Sequence, residues 1–160
     1  MTPLLIFLGL LLAACLFAWW RGGGPERAVA ALFFLAWLVS FLIHKPLASH
    51  YHGVEIPMVV MDMLLLVALL AISRRANRVW PVVATSLQAL IVLAHVARAL
   101  NPFQFPYVYM VMVVIWPIVQ LFVLIAGTAL HWRRTVTLGA EPSWTSSSPS
   151  PVRTGTPPAG

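Results

Sequence analysis

Carboxylates are scarce in this chain: four Asp and Glu stand among 160 residues, against ten Lys and Arg. All charged residues together make up 9%, where a soluble globular domain carries about 25%. That excludes an ordinary water-soluble fold. A single cysteine, Cys15, excludes an internal disulfide. There is no Walker loop, GxSxG, HExxH or dinucleotide fingerprint, so standard hydrolase and nucleotide chemistry has no foothold. The basic residues fall between apolar segments instead of forming one face, which excludes a nucleic-acid footprint.

What is present is apolar, 61% of the chain with mean hydropathy +0.90. The centre of the pattern is a hairpin. Ile56–Ser73 and Val79–Leu100 each approach the ~20 residues that cover a bilayer core of roughly 30 Å. The turn between them, Arg74–Arg78, holds three arginines and no acid, as a cytoplasmic loop does.

The remaining segments follow the same rule. Residues 2–20 are uncharged and end in Trp19-Trp20-Arg21, an interfacial aromatic pair followed by a cation. Gly22-Gly23-Gly24-Pro25 breaks that helix, and a second spans 26–43. His44–Glu55 is too polar to span and reads as an interfacial loop. After helices over 56–73 and 79–100, the proline-bounded segment Asn101–Pro106 leads into a fifth, 107–132, with Pro117 inside it as a kink. The expected architecture is all-α: a five-helix transmembrane bundle over 1–134 and a disordered cytoplasmic tail over 135–160. Pro, Ser, Thr and Gly supply 16 of the 22 residues from Gly139 to Gly160, too little apolar area to fold.

Counting cations sets the direction. With the N-terminus outside, Arg21, Arg27, Arg74, Arg75, Arg78, Arg133, Arg134 and Arg153 fall inside, against Lys45 and Arg98 outside. The expected topology is N-out, C-in. A single lysine among the ten cations suggests a GC-rich bacterial genome, hence an inner membrane.

Leu12-Ala13-Ala14-Cys15 has the form of a lipoprotein cleavage box. Against lipidation, no Lys or Arg precedes the apolar run, and the chain stays apolar through Trp20. A small thiol packed within a membrane helix is the plainer reading.

Polar chemistry has few places to sit. At ~1.5 Å per residue, Asp62 lies roughly 9 Å, His95 about 7 Å and Arg98 about 3 Å below the outer surface. Antiparallel neighbours thus bring Asp62 and His95 to one level, where an ionisable residue is costly and faces the bundle interior. Thr85, Gln88, His95 and Arg98 fall within an arc of about 140°, and Tyr109, Trp116, Gln120, Gly127 and His131 within about 60°. Two such stripes point to helices that face each other or share a cavity, with Gly127 allowing close approach. The candidate cluster is Asp62, His95, Arg98, Gln88 and Gln120. It reads either as a register-fixing buried pair within a polar seam or as a working proton or ligand site.

Two further sets compete with it. His44, His50, His52 and Glu55 are metal-ligand types, but their spacing matches no firm template. Met58, Met61, Met63, Met110 and Met112 lie toward the same side and would suit copper(I), although methionine is also the adaptable filler of cores. A haem held by His44 and His95 is allowed by depth alone.

The tract from Val54 to Leu100, with Asp62, Trp80-Pro81, Gln88 and His95 as its most specific positions, resembles a group of small uncharacterised multi-pass membrane proteins of proteobacterial type. The resemblance implies a bacterial inner-membrane setting and assigns no site. The expected function is non-enzymatic and without a resident cofactor: an accessory, scaffold or assembly component. Its partners would be the lipid bilayer and other membrane subunits, with no nucleic acid. The rival is a small transporter, sensor or redox carrier, for a proton, metal or haem, built on the Asp62–His95–Arg98 cluster.

Overall fold

The computed structural model describes residues 2–43, 56–100, 106–139 and 144. Five helices account for nearly all of them: α1 (Thr2–Arg21), α2 (Gly24–Ile43), α3 (Ile56–Arg75), α4 (Trp80–Leu100) and α5 (Pro106–Leu138). All five are long and apolar enough to cross a membrane. Each packs on its neighbours in sequence, α5 closes the ring onto α1, and α2 also meets α5 across the middle.

Short turns force the antiparallel order. Only Gly22 and Gly23 separate α1 from α2. Gly22 donates its amide to Ala18 O (2.9 Å), and a Cβ at Gly22 would stand 2.6 Å from Glu26 Cβ. No larger residue fits there. Glu26 then caps α2 from its third position: Gly23 N–H donates to Glu26 Oε2 at 3.0 Å, the reciprocal half of a capping box. At the α3–α4 turn, Ala76 N–H donates to Ile72 O (2.8 Å), and Val79 O accepts the first amide bond of α4, from Val82 (3.0 Å).

The core is built where small residues let helices approach. Leu11, Ala14 and Ala18 of α1 meet Val29, Ala30 and Phe33 of α2, Leu69 of α3, and Leu121 and Leu124 of α5. Cys15 is half-buried beside them, its thiol donating to Ala30 O at 3.4 Å. Outside this core the bundle is faced with exposed Leu, Ile, Val and Phe side chains. On α3 only Leu69 is buried. Apolar patches on that scale are foreign to a water-exposed monomer.

One boundary differs from expectation. The fifth helix does not stop at Trp132 but runs to Leu138, so residues 135–138 are helix and not tail. Nothing between Gly127 and Gly139 breaks a helix, and Thr135 and Thr137 donate their hydroxyls back to His131 O and Arg133 O (both 2.9 Å). The helix ends where Gly139 adopts φ +86°, the left-handed C′ position that glycine takes without strain. Trp144 lies beyond it, paired through its backbone with Ala76. Its indole rests on Gly24, where a Cβ would meet Nε1 at 2.5 Å. The rest of the expected disordered tail lies outside the described residues.

Candidate functional site

The polar residues inside the apolar helices assemble as a directional ladder across α5, α4 and α3. Gln120 donates from Nε2 to Gln88 Oε1 (3.0 Å) and to Ala84 O (3.1 Å). Gln88 donates in turn to Asp62 Oδ1 (2.9 Å) and Asp62 O (3.2 Å). Asp62 Oδ2 lies 2.8 Å from His95 Nε2, with a proton shared between them. When the carboxylate is ionised, the imidazole nitrogen carries that proton and donates it.

Burial is uneven along the ladder. Gln88 is 0% and His95 3% exposed, while the Asp62 side chain is 24% exposed. The ladder therefore comes nearest the bundle surface at Asp62, between two buried partners. Gln88 uses both ends of its amide: it accepts from Gln120 and donates to Asp62, so it passes the contact from helix to helix as neither a carboxylate nor Lys could. Thr85 stays out of the ladder, returning its hydroxyl to Pro81 O (2.7 Å) within α4.

Four of the five expected cluster residues (Asp62, Gln88, His95 and Gln120) are thus joined. The fifth, Arg98, is buried on the same face of α4, about one turn past His95. The α5 stripe divides: Gln120 enters the ladder, whereas Gly127 receives the Trp80 ring, with 2.6 Å from a Cβ built on Gly127 to the indole. His44, His50, His52 and Glu55, and the side chains of Tyr109, Met110 and Met112, lie outside the described residues. Among the described residues, no three of His, Cys, Asp and Glu gather as a metal would require.

A second polar centre, not expected from the sequence, occupies the opposite end. Glu26 is 0% exposed. Its Oε1 accepts from Arg78 Nη1 and from Trp80 Nε1, each at 3.0 Å. The three residues tie the α1–α2 turn to the α3–α4 turn. The Arg78 side chain is almost fully enclosed, and its Nη2 makes no hydrogen bond among the described residues. The signal was present in the composition: Glu26 is an acid on a rim otherwise made of arginines, and an acid so placed finds a cation.

No family model, curated protein or solved structure matches this chain.

Proposed function

We propose that this is a multi-pass protein of a bacterial inner membrane, N-terminus outside and C-terminus inside. In this reading it serves as a non-catalytic accessory, scaffold or assembly component of a membrane complex. The observation that carries the proposal is the position of Gln88. Fully buried, it spends its amide on Asp62 and its carbonyl on Gln120. A ladder whose members use one another holds helices in register and presents little to a substrate. The arginine bias supports the orientation, and the resemblance over Val54–Leu100 supports the setting.

The decisive experiment is mild detergent extraction followed by identification of what co-purifies. A defined membrane subunit retained in fixed ratio is the expected result, and Asp62→Asn or His95→Ala should lower thermal stability and retention together. A protein that purifies alone, without a partner, would defeat the assembly reading.

One observation favours a second reading, a proton-responsive site. The carboxylate of Asp62 is partly exposed while its imidazole partner is enclosed, so a proton arriving at the surface meets an acid–base pair. Under that reading Asp62→Asn removes activity at unchanged expression and stability. A metal or haem carrier would instead draw on His44, His50, His52 and Glu55 or on His95, and an absorption spectrum with elemental analysis of the purified protein tests it.

A further inference from the structure

The arginine-rich end of the bundle carries a pattern that helix packing leaves unexplained. The Glu26–Arg78–Trp80 and Arg21–Trp132 contacts gather the end of α1, the start of α2, the end of α3, the start of α4 and the last third of α5 at this end. Arg21, Arg27, Arg74, Arg75, Arg133 and Arg134 are all exposed there. The only carboxylate among the described residues at this end, Glu26, is buried and already engaged by Arg78. The described side chains exposed at this end therefore carry a net positive charge.

One of these arginines is held in a fixed pose. The Arg21 guanidinium stands 5.1 Å from the Trp20 ring and 4.8 Å from the Trp132 ring, clasped between α1 and α5. Stacking of this kind orders the planar fork and leaves its N–H edge free to meet an anion bidentately. Trp19 and Trp20 are widely exposed beside it, as indoles are at the headgroup level of a bilayer. Arg133 and Arg134 follow Trp132 directly, on a helix that runs on to Leu138.

We infer that the Arg21–Trp20–Trp132 clasp, flanked by Arg133 and Arg134, is a binding site for the headgroup phosphate of an anionic phospholipid in the leaflet on the arginine side. A net-negative lipid is selected over a zwitterionic one because the surrounding arginines add to the attraction. The inference rests on the membrane reading proposed above.

The test uses the full chain reconstituted in mixed bilayers, with brominated phosphatidylglycerol or phosphatidylcholine quenching tryptophan fluorescence at low and high salt. The unaltered protein should prefer phosphatidylglycerol, and high salt should weaken the preference. Arg21→Gln should cut it about fivefold and leave phosphatidylcholine binding unchanged. If Arg21→Gln fails to fold, Arg133→Gln/Arg134→Gln carries the same test, because both side chains are exposed. Equal binding of the two lipids, or a preference that survives both variants, overturns the site. Inorganic phosphate that displaces phosphatidylglycerol at matched concentration would make it a free-phosphate site and overturn the lipid assignment. Vesicle flotation separates the two failures: a chain that floats with neither lipid sinks the membrane reading, and one that floats with both but shows no preference sinks the clasp alone.

Discussion

The indole nitrogen of Trp80 and the guanidinium of Arg78 converge on one oxygen, Oε1 of Glu26, each at 3.0 Å. Glu26 is thereby the hinge pin of the arginine-rich end, joining a turn near the start of the chain to one near its middle. Replacing it with Ala strands an enclosed cation and a partly buried indole N–H, and loss of one partner of a buried ion pair costs about 3–5 kcal/mol. Glu26→Ala should melt at lower temperature in detergent. Glu26→Gln, which keeps an acceptor for Trp80, should lose less. An unchanged melting curve for Glu26→Ala would remove this centre from the stability of the bundle.

The ladder should be weakest where it is cut in the middle. Gln88→Ala leaves Asp62 without its amide donor and Gln120 without its side-chain acceptor. Gln120→Ala removes the donor to Gln88 Oε1 and to Ala84 O but leaves both bonds to Asp62 in place. Interhelical hydrogen bonds in membranes are worth roughly 0.6 kcal/mol on average and seldom reach 2. Gln88→Ala is expected to cost more than Gln120→Ala, and a double-mutant cycle should give a coupling near that average. Additivity of the two would show that the amides act separately.

Two glycines in helices should respond oppositely to alanine. A Cβ at Gly127 would sit 2.6 Å from the Trp80 ring, while nothing lies within 4 Å of one at Gly9. Gly127→Ala should therefore destabilise by about 1–3 kcal/mol through overpacking. Gly9→Ala should be neutral or stabilising by up to about 1 kcal/mol, since it lowers the entropy lost on forming the helix. Parallel thermal melts check the contrast, and equal shifts for the two variants would contradict the packing seen at Trp80.

Orientation is open to direct labelling. Asn77 is exposed in the turn between α3 and α4. In a Cys15→Ser background, Asn77→Cys should resist a membrane-impermeant maleimide applied to spheroplasts and react once they are permeabilised. Modification from the outer face would invert the topology and place the lipid clasp in the other leaflet.

How much of this was legible beforehand depends on what each residue competes with. The five helices were visible because runs such as Ile56–Ser73 are uniformly apolar and match a bilayer in length. The ladder was visible because Asp62, Gln88, His95 and Gln120 are isolated polar residues in apolar surroundings, so helical spacing aligns them. Glu26 was hidden: at the rim, an acid in the first turn of a helix already has a local reason to be there as a cap, and its partner is far away in the sequence. The end of α5 was misplaced because Trp132 and Arg133 mark the edge of the apolar span, which a helix with no breaker need not respect.

The separation between Glu26 and Arg78 sets an order on biogenesis. They are 52 residues apart, which at translation rates of about 5–20 residues per second is roughly 3–10 s of synthesis. Throughout that interval the nascent first hairpin carries a carboxylate whose partner in the folded bundle, Arg78, has not yet been made. A product arrested before the α3–α4 turn would lack both donors, Arg78 and Trp80, that meet Glu26 Oε1 in the finished bundle, so the base of α2 is completed only when the second hairpin begins.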